Sequence, residues 1–150
     1  MPNRDFYQVS LKVILKNKEG EALILNGHPK GSCAYFYDLP GGRIDKDEFT
    51  VPLTEITRRE VIEEIGNVEM TIDPKPVALG RHFVPASMAS ENTDLRILCV
   101  FFEAAFIGGD IVVSKEHDGF RWVNLAEIEL EKFFVSGILE GIRMYLGIRD

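Results

Sequence analysis

Glu60, Glu63 and Glu64 lie in the run RREVIEEIG, residues 58–66, at spacings i, i+3 and i+4. On a helix, residues so spaced fall within an arc of roughly 100°. Val61, Ile62 and Ile65 take the neighbouring arc and can face a core. Like charges clustered in this way repel, at roughly a few tenths of a kcal/mol per pair. A divalent cation reverses the sign of that interaction. Mg2+ takes oxygen ligands in octahedral geometry and bridges carboxylates to a substrate phosphate. Arg59, one turn before Glu63, offsets part of the charge and can hold a carboxylate by a bidentate contact. Upstream, Pro40-Gly41-Gly42 forms a loop whose backbone N–H groups can approach a ligand closely, because no Cβ intervenes. Glu48 stands between that loop and the helix. A competing reading is a solvated helix face with ordinary Glu55–Arg59 and Arg59–Glu63 pairs. The order of glycine loop, single glutamate and carboxylate-rich helix favours the metal and phosphate site.

These groups need elements to hold them. Residues 7–15 (YQVSLKVIL) read as a strand, 17–20 as a turn and 21–25 as the returning strand, which together make a hairpin. Residues 34–38 form a short aromatic strand that runs into the breaker Leu39-Pro40-Gly41-Gly42. Pro52 opens a helix, with Thr50 as its cap, and the helix stops at Gly66-Asn67. Residues 77–83 form a strand, and 119–123 a short one. The run 95–106 (LRILCVFFEAAF) is expected to be a central strand buried on both faces. Phe134, Ile138, Ile142 and Tyr145 recur at helical spacing and predict one amphipathic helix over 125–146. Strands and helices are mixed without strict alternation. That predicts a mixed sheet flanked by helices, an α/β fold.

The whole-chain quantities limit the function. One hundred and fifty residues suit one domain, and 45% hydrophobic residues are enough for a real core. Twenty-four acidic against 17 basic residues leave a net charge of −7. Duplex nucleic acid is not an expected partner, because such binding rests on Lys and Arg neutralising phosphates. An acidic protein can still act on phosphorylated small molecules if a bound dication supplies local positive charge. No apolar stretch is long enough to cross a bilayer, and Met1-Pro2-Asn3-Arg4-Asp5 lacks the pattern of a signal peptide. Cys33 and Cys99 are expected to be reduced, so a cytoplasmic location is expected.

Residues 42–66 resemble the Nudix box, G-x5-E-x7-R-E-U-x-E-E-x-G-U, where U is aliphatic. Gly42 and Glu48 match the first spacing, and Arg59-Glu60-Val61-Ile62-Glu63-Glu64-Ile65-Gly66 matches the whole second half. Two departures stand out. Ten residues, 49–58, replace seven, and this insertion leaves the helix spacing intact. Asn67 replaces the final aliphatic residue, with Val68 one position later. The later run KEHDGFRWV (115–123) is similar to the family segment in which an acidic residue precedes a Trp-containing strand, and Glu116 is the match. Box and flanks cover nearly the whole chain. The resemblance therefore implies one Nudix domain over 1–150, with the box near 42–67, folded as an α/β/α sandwich.

What the resemblance implies for function is hydrolysis of a diphosphate linkage in a nucleoside-diphosphate-type substrate, using Mg2+ with Mn2+ as the alternative ion. In that scheme Glu60 and Glu64 bind the ion directly, Glu63 binds a second ion or acts through water, and Glu48 joins the metal set. Arg59 orients the carboxylates, and Gly41 and Gly42 supply backbone contacts. Either Glu116 or a helix glutamate activates the water. Phe36, within Tyr35-Phe36-Tyr37, is a candidate for base stacking, and Arg81 and Lys30 are candidates for phosphate contacts. His28, His82 and His117 share no ligand spacing and read as surface or loop residues. Cys99 reads as a buried small hydrophobe and Trp122 as a core aromatic. Residues 85–94 read as a polar loop, either a lid or a connection. The expected partner is a nucleotide-type small molecule rather than a membrane, and a homodimer is compatible with the apolar strand and C-terminal helix. The alternatives are a Nudix-fold binding or regulatory module, and an unrelated acidic α/β protein whose glutamates form a partner face. The complete Arg-Glu-x-x-Glu-Glu set argues against the module, which has no need of it.

Overall fold

Strand β1 (Gln8–Lys16) carries the alternation that organises the two cores. Leu11, Val13 and Leu15 enter one core and Ile14 enters the other, all fully buried. Asn17 Oδ1 accepts the N–H groups of Glu19 and Glu21 at 3.1 and 2.9 Å, which turns the chain into β2 (Ala22–Asn26), antiparallel to β1. The computed structural model describes residues 1–27 and 35–149. His28, Lys30, Cys33 and the start of the expected strand at Ala34 lie outside the described residues.

The centre of the sheet is a parallel pair, β1 with β7 (Leu95–Gly108). β3 (Tyr37–Asp38) and β8 (Phe120–Val123) pair with β2. β4 (Gly41–Arg43) lies antiparallel to β1 at Ser10–Lys12. Along the other edge of β7, β6 (Ala78–Val84) pairs with its first half and β5 (Glu69–Ile72) with its second. This is the expected mixed sheet. Helix α1 (Leu53–Ile65) covers the face of Leu11, Leu23 and Phe102. Helices α2 (Leu130–Phe133) and α3 (Ser136–Leu146) cover the face of Ile14, Ile24 and Phe101. The result is an α/β/α sandwich. Neighbouring Phe101 and Phe102 enter opposite cores, so β7 is buried on both faces at its centre, while its ends alternate with solvent. No helix among the described residues is long and apolar enough to cross a membrane.

Several local expectations are corrected. The single helix over 125–146 is two helices, parted where Val135 is extended (φ −140°) and Ser136 has φ 57°. The break lets the Phe134 ring reach the core, where it is 1% exposed. Thr50 does not cap α1. Pro52 takes that position, and its carbonyl accepts from Glu55 and Ile56 at 3.0 and 3.2 Å. Gly41 and Gly42 are paired in a strand rather than forming a free loop. β5 went unanticipated because EMTI alternates over only four residues.

Helix α3 approaches the sheet through small residues. A Cβ on Gly141 would collide with the ring of the fully buried Phe101. Helix propensity favours Ala over Gly by about 1 kcal/mol, but overpacking a filled core costs about 1–3 kcal/mol. The clash is deep, so overpacking prevails. Gly141→Ala should lower the midpoint of chemical denaturation. Gly108→Ala, where a Cβ meets nothing within 4 Å, should change stability by no more than about 0.5 kcal/mol.

Candidate active site

The last turn of α1 leaves carbonyls without intrahelical donors. Two of them hold a neighbouring segment in place. Val112 N–H donates to Ile65 O at 2.8 Å, and Ser114 N–H donates to Glu64 O at 2.7 Å. This docking carries Lys115, Glu116 and His117 alongside the α1 carboxylates.

Glu64 is the buried member of the set, 7% exposed. Its Oε1 accepts the Gly41 N–H at 2.7 Å, and its Oε2 lies 2.7 Å from His117 Nε2. His117 Nδ1 lies 3.0 Å from the carbonyl oxygen of Asn26 at the end of β2. His117 lies in the loop before β8, as expected, but its ring is turned inward rather than lying on the surface. Burial is the largest influence on the ring and opposes its charge. The hydrogen bond and charge of Glu64, with the Asn26 carbonyl, outweigh burial and leave the His117 pKa above its ordinary value.

The other carboxylates gather around Arg59. Its guanidinium bonds Glu48, lies 3.2 Å from Glu60 Oε1, and donates to Glu63 Oε1 at 2.9 Å. Glu48 and Glu63, as hydrogen-bond acceptors, raise the pKa of Arg59 further and keep it a cation. Glu48 also accepts the Asp45 N–H at 2.9 Å, and that bond is the main cause of its lowered pKa. For Glu60, burial is the main influence and raises the pKa. Arg59 pulls it down, and the neighbouring charges of Glu63 and Glu64 add to the rise.

Both glycines of β4 are required by close approach. Gly41 has φ 146°, and a Cβ there would collide with the Leu11 carbonyl. A Cβ on Gly42 would collide with the carboxylate of Glu60. The side chain of Glu60 therefore lies directly against β4 backbone.

Gly41, Gly42, Glu60, Glu63, Glu64 and Glu116 line one cavity of about 470 Å3. It adjoins a second, of about 590 Å3, which shares Gly41, Gly42, Glu64 and Glu116 and extends over Lys12, Asp38, His82 and Cys99. Glu48 lines neither and reaches the set only through Arg59. Phe36 is half-buried and Arg81 is exposed on β6, and neither lines a cavity. Tyr37 packs its ring against Phe133 with centroids 5.4 Å apart. Residues 85–94 link β6 to β7, and Met88, Ala89, Ser90 and Glu91 in this run form part of the cavity wall.

Sequence reasoning also passed over other cavity residues, among them Lys12, Asp38, His82 and Cys99. Lys12 Nζ lies 3.1 Å from Asp38 Oδ1, with side chains 12% and 17% exposed. A signal for it existed: a lysine inside an apolar strand is buried only when paired. His82 lines the cavity with its Nδ1 2.8 Å from Ser136 Oγ, and burial lowers its pKa. Cys99 is buried as expected, and burial pushes its thiol up to about 11, so it is no nucleophile. Trp122 is half-buried, with its ring 5.4 Å from that of Phe106.

One ligand atom each from Glu64, Glu116 and His117 lie within 4.8 Å of one another. Glu60 and Glu63 line the smaller cavity with Glu64 and Glu116, and His117 lines the adjoining one, so the available donors are carboxylates and one imidazole. Such a set fits a divalent cation.

The NUDIX domain model matches residues 6–140. No match is found among curated protein sequences. Among solved structures, the MutT protein from Methanosarcina mazei Go1 superposes with a TM-score of 0.71 at 22% identity, covering 94% of this chain and 91% of that one. An Ap4A hydrolase from C. elegans superposes with a TM-score of 0.62 at 16% identity, covering 93% and 96%. An ADP-ribose pyrophosphatase from Streptococcus suis 89-1591 gives 0.61 at 17% identity, covering 95% and 91%. At these identities the structural likeness speaks to the fold. With the family match spanning most of the sequence, the chain belongs to the NUDIX family.

Proposed function

We propose that the protein hydrolyses a phosphoanhydride bond in a nucleoside-diphosphate-type substrate, with Mg2+ held by the carboxylates of α1. One observation carries this reading: Glu60, Glu63 and Glu64 meet Gly41, Gly42 and Glu116 around one cavity, and that cavity opens into a larger one. The smaller cavity takes the diphosphate and the larger takes the moiety attached to it. A divalent cation bound there supplies charge neutralisation at phosphoryl oxygens and a more acidic water. The residues supply the positioning on which phosphoryl transfer mainly depends.

In this reading Glu60 and Glu64 are direct ligands, and Glu63, exposed at the rim, acts through water or on a second ion. Arg59 holds Glu48, Glu60 and Glu63 in fixed rotamers through its planar fork of donors. Glu116 lines the same cavity on the segment docked beside α1, so it can accept a proton from a water placed near the α1 glutamates. The Lys12–Asp38 pair and His82 give the larger cavity a polar floor among apolar walls, as suits a heterocycle with a hydrogen-bonding edge. Nucleotide-type relatives such as the Ap4A hydrolase and the ADP-ribose pyrophosphatase support the same substrate class.

Two outcomes are expected. Glu64→Gln keeps an acceptor for Gly41 but removes the charge. Mg2+-dependent release of nucleoside monophosphate or phosphate from a nucleotide panel should fall by more than the roughly 10–100-fold typical of outer-shell partners. Circular dichroism should stay unchanged, and near wild-type turnover would remove the metal assignment. Arg59→Lys keeps the charge but loses the fork. It should weaken Mg2+ binding by about 10-fold in calorimetry, with stability altered by no more than about 1 kcal/mol because Arg59 itself is exposed and the charge is kept.

A further inference from the structure

A neutral imidazole bonded to a hydroxyl keeps both of its tautomers open, because a hydroxyl donates as readily as it accepts. His82 is held in this way, with its Nδ1 2.8 Å from Ser136 Oγ. Backbone geometry fixes that partner. Ser136 opens α3 with φ 57°, uncommon for a residue that bears a Cβ. Next to it, Gly137 packs so closely that a Cβ there would lie 2.8 to 3.0 Å from backbone atoms of Arg81 and His82. Burial is the main influence on the His82 ring and lowers its pKa. Asp38 opposes this, and Lys12 and Arg43 add to it. The ring is therefore neutral near neutral pH, with one N–H and one lone pair.

The ring belongs to the larger cavity. Alternation along β6 puts His82 on the same face as Ala78 and Val84, beneath α3. Its register partner on β7, Ile97, lines that cavity with it, and so do Cys99 and Ser10, which pair with each other across β7 and β1. The charges that act on the ring, Asp38, Lys12 and Arg43, line it as well. A separate observation concerns the second nitrogen. Nε2 is buried and has no hydrogen-bond partner among the described residues, whereas buried polar atoms normally find one. When the Ser136 hydroxyl donates to Nδ1, the ring proton sits on Nε2 and makes it a donor. When Nδ1–H donates to Ser136 Oγ, Nε2 is an acceptor. His117 has no such choice, because its Nδ1 faces a carbonyl that only accepts.

We propose that His82 and Ser136 form an adaptable reader of the substrate's heterocycle, in which Nε2 meets the polar edge as donor or as acceptor, so that bases carrying an oxo or an amino group there are accepted alike. The heterocycle supplies the partner that Nε2 lacks. A reader of fixed polarity rejects the analogue that leaves its buried group unpaired. Here the serine hydroxyl and the imidazole proton turn over together, and no group is left unpaired with either base. The proposal rests on the reading of the larger cavity as the site of the moiety attached to the diphosphate, and adds which moieties it admits.

The test uses the folded full chain with 15N-labelled histidine and two probes, adenosine 5′-monophosphate and inosine 5′-monophosphate. The probes share sugar, phosphate and purine frame, and invert donor and acceptor along the C6–N1 edge. Both should bind in calorimetry with affinities within about 10-fold, far less than the discrimination of a fixed reader. The 15N shifts of His82 should report opposite tautomers in the two complexes, the proton on Nε2 in one and on Nδ1 in the other. His82→Phe keeps a ring without either nitrogen and should weaken both probes by roughly 3- to 10-fold, the worth of one hydrogen bond. Its Mg2+ affinity should match the wild type, since His82 does not line the smaller cavity. The same tautomer in both complexes overturns the proposal, and so does a preference well beyond 10-fold or a probe that binds the variant as tightly as the wild type. If neither probe binds, the larger cavity as a nucleoside site and this proposal fall together. If both bind and inhibit Mg2+-dependent turnover while His82 keeps one tautomer, the proposal alone falls.

Discussion

A carboxylate buried in a protein must have its oxygens satisfied, and Glu64 meets that demand by tying four parts of the chain together. One oxygen takes the Gly41 N–H of β4, and the other faces His117, which leans on the end of β2. Its backbone carbonyl accepts from Ser114 and anchors the segment bearing Glu116. A glutamate at the C-terminal turn of a helix is also opposed by the helix dipole. That position is tolerable because donors converge on it. These contacts hold Gly41 and the segment bearing Ser114 and Glu116, which line the smaller cavity.

The rest of the acidic cluster is resolved differently. Glu48, Glu60 and Glu63 share Arg59, with Arg59 and Glu63 exposed and Glu48 and Glu60 half-buried. Its effect is geometric. One planar cation fixes three carboxylates, and the close approach at Gly42 presses Glu60 against β4. A dication then meets ligands that are already placed, instead of having to order mobile side chains. The larger cavity continues from this point across the face of the sheet beneath α3, which is how one fold joins phosphate chemistry to recognition of the attached group.

Local patterns were readable from sequence, and long-range ones were not. The spacing of Glu60, Glu63 and Glu64 and the stop at Gly66 are properties of a few adjacent residues, and α1 appears where that spacing places it. The mixed sheet was readable because strand runs and helix runs do not alternate. The division of the C-terminal helix was hidden because helical periodicity continues through Phe134, and only the core's demand for that ring shows why the helix breaks. His117 offered no ligand spacing. Its partners, Asn26 and Glu64, are 91 and 53 positions away. Lys12 and Asp38 are similarly separated and meet only because β1 and β3 flank β2. Phe36 and Arg81 looked suitable by residue type, yet Phe36 precedes β3, Arg81 is exposed on β6, and neither lines a cavity.

The central claim is that the acidic face of α1 holds a dication that in turn holds the substrate's diphosphate. The most direct measurement is an anomalous-scattering map from crystals grown with Mn2+, as a stand-in for Mg2+, and a non-hydrolysable nucleoside diphosphate analogue. The account expects a peak within bonding distance of Glu60 and Glu64, with analogue oxygens completing its coordination. An analogue bound elsewhere, with the α1 glutamates turned to solvent and no peak among them, would contradict it.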